Sequence, residues 1–98
     1  MIRGTTPTHV FEVDTDLRQA TALYITYGQL GRTVIEKTLD DAEITEESVT
    51  VHLTQEDTIR FKNGDVRIQM RVKFGDGSAI ASDIIDVPVQ AILKEGII

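Results

Sequence analysis

The chain has 98 residues, 41% of them hydrophobic, with no cysteine and a formal net charge of −6. That length fits one domain, residues 1–98, with one modest core. The missing cysteines exclude disulfides, zinc–thiolate sites and cysteine nucleophiles. An acidic chain gains nothing from counterion release on a phosphate backbone, so no nucleic acid is expected as a partner. No apolar run approaches the roughly 20 residues of a membrane helix, so no membrane is expected either.

Met1–His9 lacks the apolar segment of a signal peptide, so secretion by one is not expected. Thr8–Val13 reads as a first strand with His9, Phe11 and Val13 on one face. Asp14-Thr15-Asp16 has turn chemistry. Ala20–Tyr27 is the second strand, Gly28-Gln29-Leu30-Gly31 a short loop and Arg32–Lys37 the third strand, together a hairpin. Leu39–Ile44 holds a short strand or an edge, Glu46-Glu47-Ser48 turns, and Ser48–Leu53 alternates cleanly. Thr54-Gln55-Glu56-Asp57 starts a helix, with a Thr cap and an acid three residues on, and Lys62-Asn63-Gly64-Asp65 ends it. In 65–74, Val66, Ile68, Met70, Val72 and Phe74 alternate with Arg67, Gln69, Arg71 and Lys73. Side chains alternate across a strand, so this one has an apolar face and a wet, basic face. Gly75-Asp76-Gly77 turns into a strand over Ala79–Val87, with a bulge near Asp83-Ile84-Ile85. Pro88 belongs at an edge or a strand break, Val89–Leu93 reads as a last strand, and Lys94–Ile98 as a tail that is loose or bound to a partner.

About seven short strands with one helical turn near residues 55–60 predict an all-β, immunoglobulin-like antiparallel β-sandwich. The strand ending at Leu53, the short helix and the long alternating strand resemble the crossover between the two sheets of that fold. Phe61 lacks the hydroxyl of a tyrosine corner and the cysteine pair is absent, so a true immunoglobulin domain is not expected.

No residues are assigned to catalysis, to a cofactor or to a metal. His9 and His52 are the only histidines, and no GxSxG or HExxH pattern occurs. Asp14 and Asp16 supply too few oxygens for calcium. Asp83 and Asp86 would work as acid and base only inside a cleft. The charge pattern says more. Asp40, Asp41, Glu43, Glu46, Glu47, Glu56 and Asp57 lie in residues 38–59, which contain no Lys or Arg, whereas Arg67, Arg71 and Lys73 share one strand face. The plainer account is intramolecular pairing on a wet sheet face. The other is docking of the basic face against acid on another molecule. On that account Arg67, Arg71, Lys73, Glu46 and Glu47 are contact residues, together with whichever of Tyr24 and Tyr27 faces outward.

The blocks Met1–His9, Leu53–Thr58 before Phe61, Ile68–Val72 and Ala79–Asp83 resemble a family of small β-domains encoded in phages and prophages of Firmicutes and associated with tails or baseplates. The resemblance spans nearly the whole chain. It implies a non-enzymatic structural or accessory role in the virion or host cytoplasm, with other phage proteins or further copies of the chain as partners, and no catalytic residues. An intracellular modulator of a host protein and a carbohydrate-binding module are the alternatives.

Overall fold

The computed structural model describes all residues, Met1–Ile98. Its centre is β6 (Gly64–Phe74), where period-two alternation becomes burial: Val66, Ile68, Met70, Val72 and Phe74 are buried, while Arg67, Arg71 and Lys73 are exposed. Each such apolar side chain contributes about 1.5–3 kcal/mol when fully removed from water. One edge of β6 pairs antiparallel with β2 (Ala20–Gln29), which in turn pairs with β3 (Arg32–Thr38). The other edge is shared end to end by β7 (Ala79–Ala81) and β8 (Ile85–Val89). The second sheet has the order β1-β5-β4, with β1 at Thr8–Glu12, β5 at Ser48–His52 and β4 at Ala42–Ile44. Leu23, Ile25 and Tyr27 of β2 and the β6 row face Val49, Val51 and Leu53 in one core, so the two sheets form an all-β sandwich.

The helix α1 (Gln55–Ile59) connects β5 to β6 across the sandwich and is capped as expected. Thr54 Oγ accepts from the Asp57 N–H at 3.1 Å, and Asp57 Oδ2 accepts from the Thr54 N–H at 2.9 Å.

Several boundaries differ from the expected ones, each for a local reason. Gly28 and Gln29 belong to β2, and the hairpin loop is only Leu30-Gly31. A Cβ at Gly28 would lie 3.2 Å from the Arg32 carbonyl oxygen, so the strands close tightly there. Ala79–Val87 is two strands, not one. Between the Arg71–Ala81 and Ile68–Ile85 pairs, Gln69 and Met70 oppose Ser82, Asp83 and Ile84, a bulge where one was expected. Ser82 stitches it: its N–H donates to the Met70 carbonyl at 2.8 Å, and its hydroxyl accepts from the Met70 N–H at 2.9 Å. Pro88 lies inside β8, on a sheet edge, where the missing N–H is tolerated. Val89–Leu93 forms no strand of its own: Val89 ends β8, and Gln90 makes an isolated parallel bridge to Ile2. Leu39–Asp41 is a 3-10 turn that leads into β4.

The segments Met1–His9 and Leu53–Phe61 meet at one corner of the sandwich. Arg3 donates through Nη2 to the Ile59 carbonyl at 2.9 Å and through Nε to that of Phe61, closing the exit of α1. Thr58, fully buried, donates its hydroxyl to the Thr5 carbonyl at 2.7 Å, and the Leu53 N–H donates to Pro7. The C-terminal Ile98 is tied down by the Gln55 amide, which accepts from its N–H at 2.9 Å and donates to its carbonyl at 3.2 Å.

Candidate functional site

The strand register explains the outer face of the five-stranded sheet. Lys73 lies across from Ala22 and Ala79, and Arg71 across from Tyr24 and Ala81. No carboxylate is a lateral neighbour of either. Arg67 lies across from Gly28 and Asp86, and its guanidinium is 3.5 Å from that carboxylate. The ion pairs of the fold join Arg3 to Glu95, Arg18 to Asp16 and Glu46, Lys37 to Asp57, His52 to Glu43 and Arg67 to Asp86. None joins the basic row to the acids of 38–59, so intramolecular pairing with that stretch does not account for the charge pattern.

The acids of 38–59 are placed elsewhere. Asp41 caps the 3-10 turn, accepting from the Thr38 N–H at 2.9 Å, and Asp57 caps α1. Glu43 is exposed on β4 in the three-stranded sheet, Glu12 is exposed on β1, and Glu46 and Glu47 form the turn between β4 and β5. The sandwich therefore carries its basic row on one outer face and carboxylates on and beside the other.

The two tyrosines separate as the alternation requires. Tyr24 is exposed on the outer face, beside Arg71. Tyr27 is completely buried, so it is a core residue and not a contact residue. Its hydroxyl is 2.7 Å from His9 Nδ1, and its ring packs against Phe61 at 6.0 Å. Burial, and then the Asp57 charge, push the Tyr27 phenol up, so it stays neutral beside the imidazole. Burial, reinforced by the N-terminal ammonium, pushes His9 below its ordinary 6.5. The unfolded chain then binds a proton near pH 6.5 that the folded chain refuses. Unfolding free energy should accordingly fall as pH drops below about 6.5. The depressed carboxylates Asp16, Asp57 and Asp76 lose their contribution only as pH falls below their ordinary 3.8. A His9→Gln variant should lose this slope below pH 6.5 in urea titrations, and an unchanged slope would contradict this role.

His9 and His52 do not meet. His9 pairs with Val51 on the inner face, and His52 points outward from β5. His52 Nδ1 is 2.8 Å from the Thr8 hydroxyl and Nε2 is 3.6 Å from Glu43. That order of hydroxyl, imidazole and carboxylate lies on an exposed strand face, and the principal hollows are lined by neither His52 nor Glu43. Asp16 is held by Arg18 through both carboxylate oxygens, at 3.0 and 2.6 Å, which brings its pKa down to about 2. Asp83 and Asp86 are separated: Asp86 faces Arg67, and Asp83 lines a groove beside β1. Gly75-Asp76-Gly77 is the β6–β7 hairpin turn, with Asp76 Oδ1 accepting from the Ser78 N–H at 2.9 Å.

Two features escaped sequence reading. One is Leu30, an apolar hairpin residue 84% exposed with a φ of 53°. The Leu-Gly pair itself was the available signal, since that position normally takes Asn, Asp or Gly. The other is the groove between β1 and β7–β8, which no local pattern marks because both walls come from distant segments. Comparison with protein-family models, with curated proteins and with solved structures finds no match.

Proposed function

We propose that this chain is a non-enzymatic structural or accessory protein, of the phage tail or baseplate type that its sequence resembles, and that it works by protein–protein contact. The observation that carries the reading is the outer face of the five-stranded sheet: Arg71 and Lys73 exposed and without a carboxylate partner, around an exposed Tyr24. Tyrosine and arginine are enriched in protein interfaces. Two unpaired cations on one face steer and orient an acidic partner surface, which in an assembly fixes register as well as rate.

Mass spectrometry of gradient-purified particles from a strain carrying the gene should find the chain in stoichiometric amount. Its absence from particles would sink the structural version. The second reading, an intracellular modulator of a host protein, draws on the exposed Glu12 and Glu43 with Glu46 and Glu47 beside them, a face that could meet a basic partner. The carbohydrate-binding reading has less to draw on: Tyr27, Phe61 and Phe74 are core residues and Phe11 is half-buried, leaving Tyr24 as the one exposed ring.

A further inference from the structure

We propose that the partner of this face is a second copy of the chain, and that the Leu30 hairpin tip of one copy seats in the groove between β1 and β7–β8 of the next. The proposal rests on the reading above, that the chain works by protein contact, and adds the partner and the place.

Three observations converge on it. Leu30 and Gly31 both have positive φ, as a two-residue hairpin loop requires. For leucine that backbone is strained, because Cβ crowds the following carbonyl. Its side chain gains nothing in return within the fold, being 84% exposed. A strained backbone position kept at the cost of exposing a large apolar group points to a functional contact.

The surroundings of the tip are cationic. Arg32, Arg60, Lys62 and Arg67 line the two hollows on either side of it. Of these only Arg67 forms an ion pair in the fold, with Asp86 at 3.5 Å. Arg67 also belongs to the basic row, so the tip is the end of the same surface.

The third observation is the groove, whose chemistry is the complement. It encloses about 520 Å³, with apolar walls that include Val10, Phe11, Ile80 and Ile85. Its charged lining residues are Glu12, Asp14 and Asp83, and no cation lines it. β1 pairs only with β5, so one wall is an open strand edge. A tip with an apolar centre and a basic surround thus matches a socket with apolar walls and an acidic rim. Tip and socket are different surfaces of one molecule, so the contact is heterologous. Each added copy leaves one tip and one groove free, which builds a ring or a filament.

Sedimentation velocity on the whole chain at low salt, across a concentration series, tests this. The wild-type chain should self-associate. Leu30→Gly removes the anchor while suiting the positive φ, so its thermal midpoint should hold or rise by about 4 °C as self-association weakens at least tenfold. Val10→Lys, at an exposed groove position, should also be folded and monomeric. An equimolar mixture of the two retains one intact groove and one intact tip, and should form a one-to-one dimer and nothing larger. A wild-type chain that stays monomeric, a Leu30→Gly chain that associates like wild type, or a mixture of the two folded variants that remains monomeric would each overturn the proposal. The chain's presence in purified particles despite a monomeric wild type would leave the contact-module reading standing without self-docking. Self-association of a chain absent from particles would do the reverse.

Discussion

Replacing Asp57 with alanine should lower the unfolding free energy by about 3 kcal/mol, because one carboxylate serves two structures. The first is the capping box with Thr54, which ties the entry of α1 to the end of β5 and whose loss costs about 1 kcal/mol. The second is an ion pair: Lys37 Nζ lies 2.8 Å from Asp57 Oδ2, and each side chain is only 16% exposed. Ile25 pairs with Lys37, so this lysine points toward the inner side of the sheet from the edge strand β3. Without Asp57 a largely buried ammonium is left uncompensated. That costs about 2 kcal/mol, below the full buried-pair penalty because the edge position lets the lysine reach water.

The protonation behaviour of Asp57 fits that role. Burial raises its pKa, but hydrogen bonds from Lys37 and Thr54 and the lysine charge outweigh it and hold the carboxyl below its ordinary 3.8. Its contribution is present above that value and lost as pH falls through the depressed one. Urea unfolding of Asp57→Ala, Lys37→Met and the double variant gives the coupling directly. A loss below about 1 kcal/mol in Asp57→Ala would mean that only the cap matters.

Reversing Arg71 and Lys73 to glutamate together should weaken association at least tenfold while leaving the fold intact. Neither side chain has an ionic partner within the molecule, and both are exposed, so the stability change should stay within about 0.5 kcal/mol. Against an acidic surface, each reversal exchanges an attraction of some tenths of a kcal/mol for a similar repulsion, and two together exceed about 1.4 kcal/mol. Isothermal titration or sedimentation equilibrium would read the change. Arg71→Lys with Lys73→Arg keeps the charge and should bind as wild type. Equal binding by the glutamate pair would place the contact elsewhere.

Features set by local periodicity and turn chemistry were legible in the sequence. The buried row Val66–Phe74, the Thr54–Asp57 cap and the β6–β7 turn are written in contiguous residues. Two adjacent apolar residues signal a bulge near Asp83–Ile85, but the split into two strands depends on the hydrogen bonds between Ser82 and Met70. The basic row was legible; the lack of partners for Arg71 and Lys73 was not, because register alone decides that alanines and a tyrosine flank them. The same holds for Asp57, which reads as a cap and is also the partner of Lys37. The groove could not be read at all, since β1 meets β7 and β8 only in the folded chain.

The central claim is that a basic face seeks an acidic surface on another copy. Light scattering of the wild-type chain at fixed concentration across a salt series tests it most directly. The Debye length falls from about 10 Å at 0.1 M to about 3 Å at 1 M. Oligomers at low salt that dissociate toward the monomer as salt rises are the predicted result, and a monomer at every salt concentration would contradict it.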